Sequence, residues 1–95
     1  MAPTPLTQDA LDELLAELPG WSLAQGKLHR EYEFADFVDA FGFMSRAALV
    51  AERMNHHPDW SNVWNRVVVD LVTHSAGGIT SNDAELARAF EALAS

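Results

Sequence analysis

The sequence predicts one α+β domain whose elements follow the order α-β-β-α-β-β-α. Three segments space their apolar residues by three and four, as amphipathic helices do. Four shorter segments lie between the helices in two pairs. A short turn separates the two segments of each pair, which indicates two hairpins. Hairpins make a four-stranded sheet antiparallel, and the three helices are expected to pack on one of its faces. Self-association is the simplest way to cover the other face or an edge.

The first helix should begin after Thr7, a suitable N-cap, and end at Pro19-Gly20. Asp9 and Asp12 suit the positive end of its dipole. Residues 1–6 are expected to be a loose tail of a single domain that spans residues 1–95. The apolar stripe of this helix is predicted to consist of five leucines: Leu6, Leu11, Leu14, Leu15 and Leu18.

The first two strands are expected over residues 21–23 and 28–34, around a turn at Gln25-Gly26. In the second strand His29 is expected to be solvated, because it shares a face with two glutamates, Glu31 and Glu33. Side chains alternate between the two faces of a strand. The opposite face should therefore consist of Leu28, Arg30, Tyr32 and Phe34.

The second helix should run from the N-cap Asp36 to about Met54. Its apolar residues step by four and three, and this stripe is interpreted as the part of the helix that enters the core. The stripe consists of Phe37, Phe41, Met44, Ala48 and Ala51.

The third and fourth strands are expected over residues 59–64 and 67–74, around a turn at Asn65-Arg66 that lacks the favoured glycine. Trp60 and Trp64 would share a face of the third strand and are interpreted as packing or interface residues. The last helix should open at a capping-box variant formed by Thr80 and Asp83. Its buried face is predicted to be Leu86, Phe90 and Leu93.

Composition excludes several classes of function. The chain has 95 residues, of which 48% are apolar, as expected for one folded domain. Six basic residues against fourteen acidic ones give a net charge of −8, so direct binding to nucleic acid is not expected. The absence of cysteine rules out disulfides, zinc thiolates and thiol nucleophiles, and suits a cytoplasmic location. Neither a secretion signal nor a membrane span is expected.

Three of the four histidines fall at the ends of predicted elements. His56 and His57 lie between the long helix and the third strand, and His74 closes the fourth strand. Positions 57 and 74 each lie eight residues from the predicted turn, so the hairpin should bring three imidazoles to one end of the sheet. Imidazole has an ordinary pKa of about 6.5 and can supply or take a proton near neutral pH. Glu52, one helical turn before His56, is expected to bond its far ring nitrogen.

Other interpretations of these residues remain open at this stage. A metal site is not expected, because adjacent histidines diverge and no HxxxH or cysteine pair is present. The histidines could simply be hydrogen-bonded polar groups at strand ends. Asp83 could cap a helix, line a pocket, or do both. Trp21 could belong to the core or to the pocket.

The segment ERMNHHPDW at residues 52–60, followed by NVWNRV at 62–67 and LVTH at 71–74, resembles the signature of the pterin-4a-carbinolamine dehydratases. FADF at 34–37, AFGFMSR at 40–46 and GIT at 78–80 are also similar to that family. The resemblance covers nearly the whole chain from Gly20. It implies removal of water from 4a-hydroxytetrahydrobiopterin to give the quinonoid dihydropterin, which regenerates the cofactor of aromatic amino acid hydroxylases such as phenylalanine hydroxylase. It also implies a homodimer or homotetramer that needs no metal or organic cofactor.

The resemblance also implies roles for individual residues. Its catalytic histidines match His56, His57 and His74, while its pocket-lining positions match Glu52, Asp83 and Trp21. Two positions depart from the pattern and would touch the pocket rim or the substrate side chain. These are Asn55, where some members carry aspartate, and Asn82, where some carry arginine.

A mechanism follows as a hypothesis from this match. His57 would assist departure of the hydroxide, His74 would take the N5 proton, and His56 would bind and polarise the pterin ring. One animal member of the family is a dimerisation cofactor for a homeodomain transcription factor. The alternative function is therefore a non-catalytic dimerisation or regulatory module on the same fold. A third possibility is a related acid–base enzyme that acts on a different pterin or on a carbinolamine-like substrate.

Overall fold

A computed structural model describes residues 3–95 of the chain. It contains three helices and a four-stranded antiparallel sheet with the strand order β1-β2-β4-β3, so β1 and β3 are the edges. The predicted fold class and element order are confirmed. The elements are α1 (Gln8–Glu17), β1 (Ser22–Ala24), β2 (Lys27–Glu33), α2 (Phe37–Met54), β3 (Asp59–Val63), β4 (Arg66–Leu71), a short 3-10 helix (His74–Ala76) and α3 (Ser81–Ala94).

One face of the sheet and one side of each helix form a single hydrophobic core. Leu14 of α1, Phe43 of α2 and Phe90 of α3 meet there and are almost wholly buried. The strands contribute their alternate residues, as the period of two requires. These inward residues are Leu28 and Tyr32 of β2 with Val67, Val69 and Leu71 of β4.

The three predicted helix starts are confirmed by their caps. The Thr7 side chain accepts a hydrogen bond from the N–H of Ala10, and Asp36 accepts one from Asp39. Thr80 and Asp83 form a complete capping box at α3. The first turn of a helix leaves N–H groups without backbone partners, and side-chain oxygens accept hydrogen bonds from them. Because only a few residue types can do this, the helix starts could be predicted from the sequence.

The segment before α1 is held at its inner end. The N–H of Leu6 donates to the carbonyl of Ile79 at 2.8 Å, and Pro5 forms an isolated bridge with Thr80. The loose tail expected over residues 1–6 therefore does not extend to these two residues, while residues 1–2 lie outside the described part.

Within residues 3–95, none of the helices has the length and hydrophobicity needed to cross a membrane.

The predicted buried stripe of α2 is wrong for most of its residues. Phe37 and Phe41 are 48% and 56% exposed, and Ala48 is exposed as well. The helix has two apolar sides, and the side with more alanine packs against the rest of the core because small side chains permit close approach. That inner side consists of Ala40, Phe43, Ala47 and Ala51, with Met44 partly buried beside it. The other side, called the outer α2 face below, consists of Phe37, Val38, Phe41, Ala48 and Leu49.

The two hairpin turns differ in how well the sequence predicted them. Gln25 and Gly26 both have positive φ (54° and 77°), as a two-residue turn of type I′ requires, and this turn is confirmed. The β3–β4 turn is Trp64-Asn65, one residue earlier than predicted, because Val63 pairs with Arg66.

The shift places Trp64 outside the strand and leaves it 64% exposed, with φ of 49°. A bulky residue with positive φ is uncommon, which is why the sequence did not indicate this turn. The side chain of Asn62 donates to the carbonyl of Trp64 and stabilises the turn. Of Trp60 and Trp64, only Trp60 packs against the core, stacked on Phe90 at 6.1 Å between ring centroids.

The face of the sheet turned away from the helices carries a charged cluster around His29. Its Nδ1 lies 2.8 Å from Asp70 Oδ1, and its Nε2 lies 2.9 Å from Glu31 Oε2. The side chain is only 23% exposed, so the expectation that His29 is solvated is wrong. The reason is the β2–β4 register, which pairs His29 with Asp70 across the strands. The hydrogen bonds to Glu31 and then to Asp70 raise the pKa of His29.

We expect His29 to make stability depend on pH. Because its folded-state pKa lies above the ordinary value of about 6.5, its contribution is fully present below that value. The contribution is lost as pH rises through the folded-state pKa. The difference in unfolding free energy between wild type and His29→Gln should thus be larger at about pH 6 than at about pH 9. Urea denaturation at both pH values measures it, and equal differences would contradict the assignment.

Candidate active site

A depression of about 300 Å³ lies at one end of the sheet, where the α2–β3 connection meets the segment after β4. This volume is at the lower end of the range for small-molecule sites. Other depressions on the described surface are at least as large, so this one is distinguished as a candidate site by its lining residues and not by its size. The lining includes all three predicted catalytic histidines. It consists of Asn55, His56, His57, Val72, Thr73, His74 and Ser75.

The C-cap of α2 directs the chain into this depression. Asn55 adopts the left-handed conformation (φ 50°, ψ 43°), and its N–H donates to the last carbonyls of the helix. Asparagine tolerates this conformation better than most residues and is common in this position after a helix. The helix therefore ends immediately before His56, and Pro58 restricts the backbone of His57. Asn55 thus lines the depression, as predicted for a rim residue, and also ends the helix.

His56 is bonded to the start of α3. Its Nε2 lies 2.5 Å from Asp83 Oδ1. The His56 side chain is 11% exposed and Asp83 is fully buried. The predicted contact between Glu52 and His56 is wrong, because the left-handed turn at Asn55 carries His56 away from the last turn of α2. Asp83 caps α3 and contacts His56, but it does not line the depression itself.

Glu52 bonds His57 instead. Its Oε1 lies 2.8 Å from His57 Nε2, and the two side chains are 79% and 57% exposed. Exposed ion pairs contribute little to stability, so the effect of this contact is to orient the ring. Glu52, like Asp83, contacts a histidine without lining the depression.

His74 reaches the depression through a short loop and not through the strand. β4 ends at Leu71, and His74 begins the 3-10 helix, so the prediction that His74 closes β4 is wrong. The loop is closed by the Thr73 N–H, which donates to the Gly78 carbonyl at 3.0 Å. Gly77 has φ of 72°, a conformation that glycine adopts without steric cost. His74 is exposed.

Trp21 is not part of this group. It is 4% exposed, and its Nε1 donates to Glu91 Oε1 at 2.8 Å. The same oxygen accepts hydrogen bonds from Arg30 Nε and the Tyr32 hydroxyl. Burial opposes ionisation of Glu91, but the bonds from Arg30, Tyr32 and Trp21 lower its pKa overall. Trp21 therefore belongs to the core, the first of its two interpretations.

Thr73 lines the depression, and Asn82 lies in the first turn of α3. Asn82 is half-buried, and its N–H donates to the Thr80 hydroxyl at 3.2 Å, inside the α3 cap. Thr73 was not predicted as a functional residue, yet its hydroxyl donates to Asp83 Oδ2 at 2.8 Å. The only sequence signal for Thr73 was its position directly before His74. Across residues 3–95, no three side chains of the types His, Asp and Glu lie together in a way that could hold a metal ion.

Comparisons with known proteins agree on one family. The family model described as pterin 4 alpha carbinolamine dehydratase matches residues 4–93. A protein of Solibacter usitatus is 56% identical over 91 residues, which is 96% of each chain. A protein of Rhodopseudomonas palustris is 52% identical over 91 residues, covering 94% of this chain and 90% of its own. Both relatives are provisionally named pterin-4-alpha-carbinolamine dehydratase.

A solved structure has the same fold. The crystal structure of a transcriptional coactivator/pterin dehydratase from Brucella melitensis superimposes with a TM-score of 0.92. The two sequences are 45% identical, and the match covers 97% of this chain and 100% of the other.

Proposed function

Because the chain belongs to the pterin 4 alpha carbinolamine dehydratase family, we propose that it converts 4a-hydroxytetrahydrobiopterin to quinonoid dihydrobiopterin and water. The observation that carries the proposal is the convergence of His56, His57 and His74 on one depression. Clustered imidazoles supply both proton donors and proton acceptors near neutral pH. In this proposal the pterin is the substrate, and neither a metal ion nor an organic cofactor takes part.

The reaction requires two proton transfers and no change of oxidation state. The C4a–O bond breaks, and the departing hydroxide takes a proton from an acid to become water. The N5–H proton goes to a base, and its electron pair forms the N5=C4a double bond. Each transfer assisted by a positioned side chain is typically worth ~10²–10⁴ in rate.

The contacts of the histidines support separate roles. His57 is the acid in this proposal, and the Glu52 carboxylate, 2.8 Å from its Nε2, holds the ring in one orientation. His74 is the base at N5, since no side chain among residues 3–95 hydrogen-bonds its exposed ring. His56 binds and polarises the ring, being the histidine tied to a buried carboxylate. Glu52 and Asp83 then act as positioning residues.

The product fits a recycling role. The quinonoid dihydropterin is reduced back to the cofactor that aromatic amino acid hydroxylases consume, so the proposal links this chain to phenylalanine hydroxylase or a related enzyme. Asn55 lies on the rim of the depression, where it would contact the pterin or its side chain.

The dehydration rate tests this function. We would generate 4a-hydroxytetrahydropterin with phenylalanine hydroxylase and follow its loss with and without this protein. A saturable rate well above the spontaneous rate is expected, because the uncatalysed reaction lacks the positioned acid and base. A rate equal to the background would contradict the proposal. Parallel assays with several pterins would identify the preferred substrate.

The outer α2 face supports a proposal of self-association. Its members Phe37, Val38, Phe41 and Leu49 are 48–75% exposed and adjacent on one helix. Soluble monomers rarely leave contiguous apolar surface of this kind uncovered. We propose that copies of this chain pack through this face into a homodimer or homotetramer.

Charge placed on this face should separate the copies. We expect Phe41→Glu to shift the mass measured by light scattering during gel filtration towards that of one chain, because burying a carboxylate in an apolar interface is costly. Ala16→Glu is the matched control, since it adds the same charge at an exposed position of α1. An unchanged mass for Phe41→Glu would exclude this face as the interface.

The outer α2 face also favours the second candidate function, a dimerisation or regulatory module. The Brucella melitensis structure is described as a coactivator as well as a dehydratase. The two functions are distinguished by activity. A wild type without dehydratase activity, whose association is lost in Phe41→Glu, would favour the module.

A further inference from the structure

A buried hydrogen-bond chain lies behind the depression. Asp83 is fully buried, and its Oδ2 accepts one bond from the N–H of Thr80 and one from the hydroxyl of Thr73, both at 2.8 Å. Its Oδ1 contacts His56 Nε2 at 2.5 Å. Thr73 is 6% exposed and Thr80 is fully buried, so the chain is closed to competing water except at His56.

For an ionised Asp83 carboxylate, the count of hydrogens fixes the direction of every bond. An ionised carboxylate only accepts, so the single hydroxyl hydrogen of Thr73 is committed to Asp83. The Thr73 and Thr80 hydroxyl oxygens lie 2.7 Å apart, and Thr80 must therefore supply the hydrogen between them. For the same reason the nitrogen of His56 that contacts Asp83 must carry a hydrogen.

We infer that Thr73 is a positioning residue: its hydroxyl holds Asp83, which holds His56 in the tautomer with hydrogen on Nε2. The inference rests on the proposed function, because it assigns His56 a ligand. In the neutral ring Nδ1 is then an acceptor, and no side chain of residues 3–95 hydrogen-bonds it. This part of the depression therefore recognises an N–H group of the ligand.

Threonine suits position 73 because its branched Cβ and its hydroxyl each contribute to the contact with Asp83. Its branched Cβ restricts χ1, which keeps the hydroxyl directed at Asp83. Valine has nearly the same shape but no hydroxyl, so Thr73→Val would leave Asp83 Oδ2 with one donor in place of two. Loss of a partner in a buried site frees the remaining groups to move. Serine restores the hydroxyl without the methyl group.

Nitrogen-15 NMR of the histidine rings tests the inference in the full chain without any ligand. In wild type and Thr73→Ser, His56 should show the Nε2–H tautomer and a downfield Hε2 proton from the short bond to Asp83. In Thr73→Val that proton should be lost or should exchange rapidly with water. A His56 ring in the Nδ1–H tautomer in wild type would overturn the inference. An unaltered His56 spectrum in folded Thr73→Val would overturn it as well.

Kinetics supply the second measurement. We expect Thr73→Val to lower kcat by roughly 10-fold or more, a factor like that found when the outer hydrogen-bond partners of metal-bound histidines are removed, and Thr73→Ser to restore most of it. The two proposals fail in different ways. A wild type without dehydratase activity would contradict the proposed function, while the tautomer of His56 would still decide the role of Thr73.

Discussion

Replacing His74 with alanine is expected to lower kcat for dehydration by roughly 10²–10⁴, the usual contribution of one positioned acid or base. His74 is the histidine of the depression whose ring no described side chain holds, which leaves it available to take the N5 proton. His57→Ala should lower kcat by a similar factor, because it removes the proton donor for the departing hydroxide. KM should change less in both variants, since the lost interactions act mainly in the transition state.

His29→Ala is the matched control for these two variants. His29 is the fourth histidine of the chain, and it lies outside the depression, on the face of the sheet turned away from the helices, bonded to Asp70 and Glu31. Its replacement should leave kcat unchanged, which would show that loss of an imidazole does not by itself reduce activity. Full activity in His74→Ala would contradict the base assignment. Full activity in both His74→Ala and His57→Ala would contradict acid–base catalysis by these two histidines.

Replacing Phe43 with alanine is expected to destabilise the fold by about 3–5 kcal/mol, the usual cost of deleting a buried phenyl ring. Phe43 is fully buried, and its ring lies 4.9 Å from Tyr32, 5.2 Å from Phe34 and 5.8 Å from Phe90 between centroids. The hole left by the ring would border both α3 and β2. Small domains have only about 5–15 kcal/mol of total stability, so this variant should approach the limit of folding.

Phe41→Ala provides the comparison, because Phe41 lies two residues away on the same helix but is 56% exposed. Urea denaturation at several protein concentrations measures both effects. The loss for Phe43→Ala should be the same at every concentration. The loss for Phe41→Ala should be small in dilute protein and should grow with concentration if the outer α2 face is an interface. A large loss for Phe41→Ala in dilute protein would instead place Phe41 in the core.

The parts of the fold that depend on local chemistry were predictable from the sequence. The structure confirms the caps Thr7, Asp36 and Thr80 and the turn at Gln25-Gly26. These features depend on neighbouring residues alone, because a side-chain acceptor caps the adjacent helix and glycine permits the positive φ of a tight turn. The buried side of α2 was not predictable. Two apolar sides of one helix have the same periodicity, and only packing decides which of them faces the sheet.

The grouping of the three histidines was predictable from the sequence, but their contacts were not. Convergence of the three histidines was expected from the hairpin, although the actual turn and the loop after β4 differ from the prediction. The partners of His56 and His57 depend on the left-handed conformation of Asn55, which periodicity does not report. Thr73 was missed because its partner Asp83 is ten residues away along the chain, across a loop whose path the sequence pattern does not reveal.

Asp83 has two roles, as the cap of α3 and as the partner of His56, and this restricts which substitutions the domain tolerates at this position. One carboxylate caps the start of α3 and also orients a histidine of the site, so a change at Asp83 affects both the stability of the helix start and the position of His56. Fraying of the first turn of α3 would release His56 at the same moment. Heat or denaturant that melts this helix start should therefore also release His56. A lineage that alters Asp83 would have to replace both roles, the helix cap and the contact with His56.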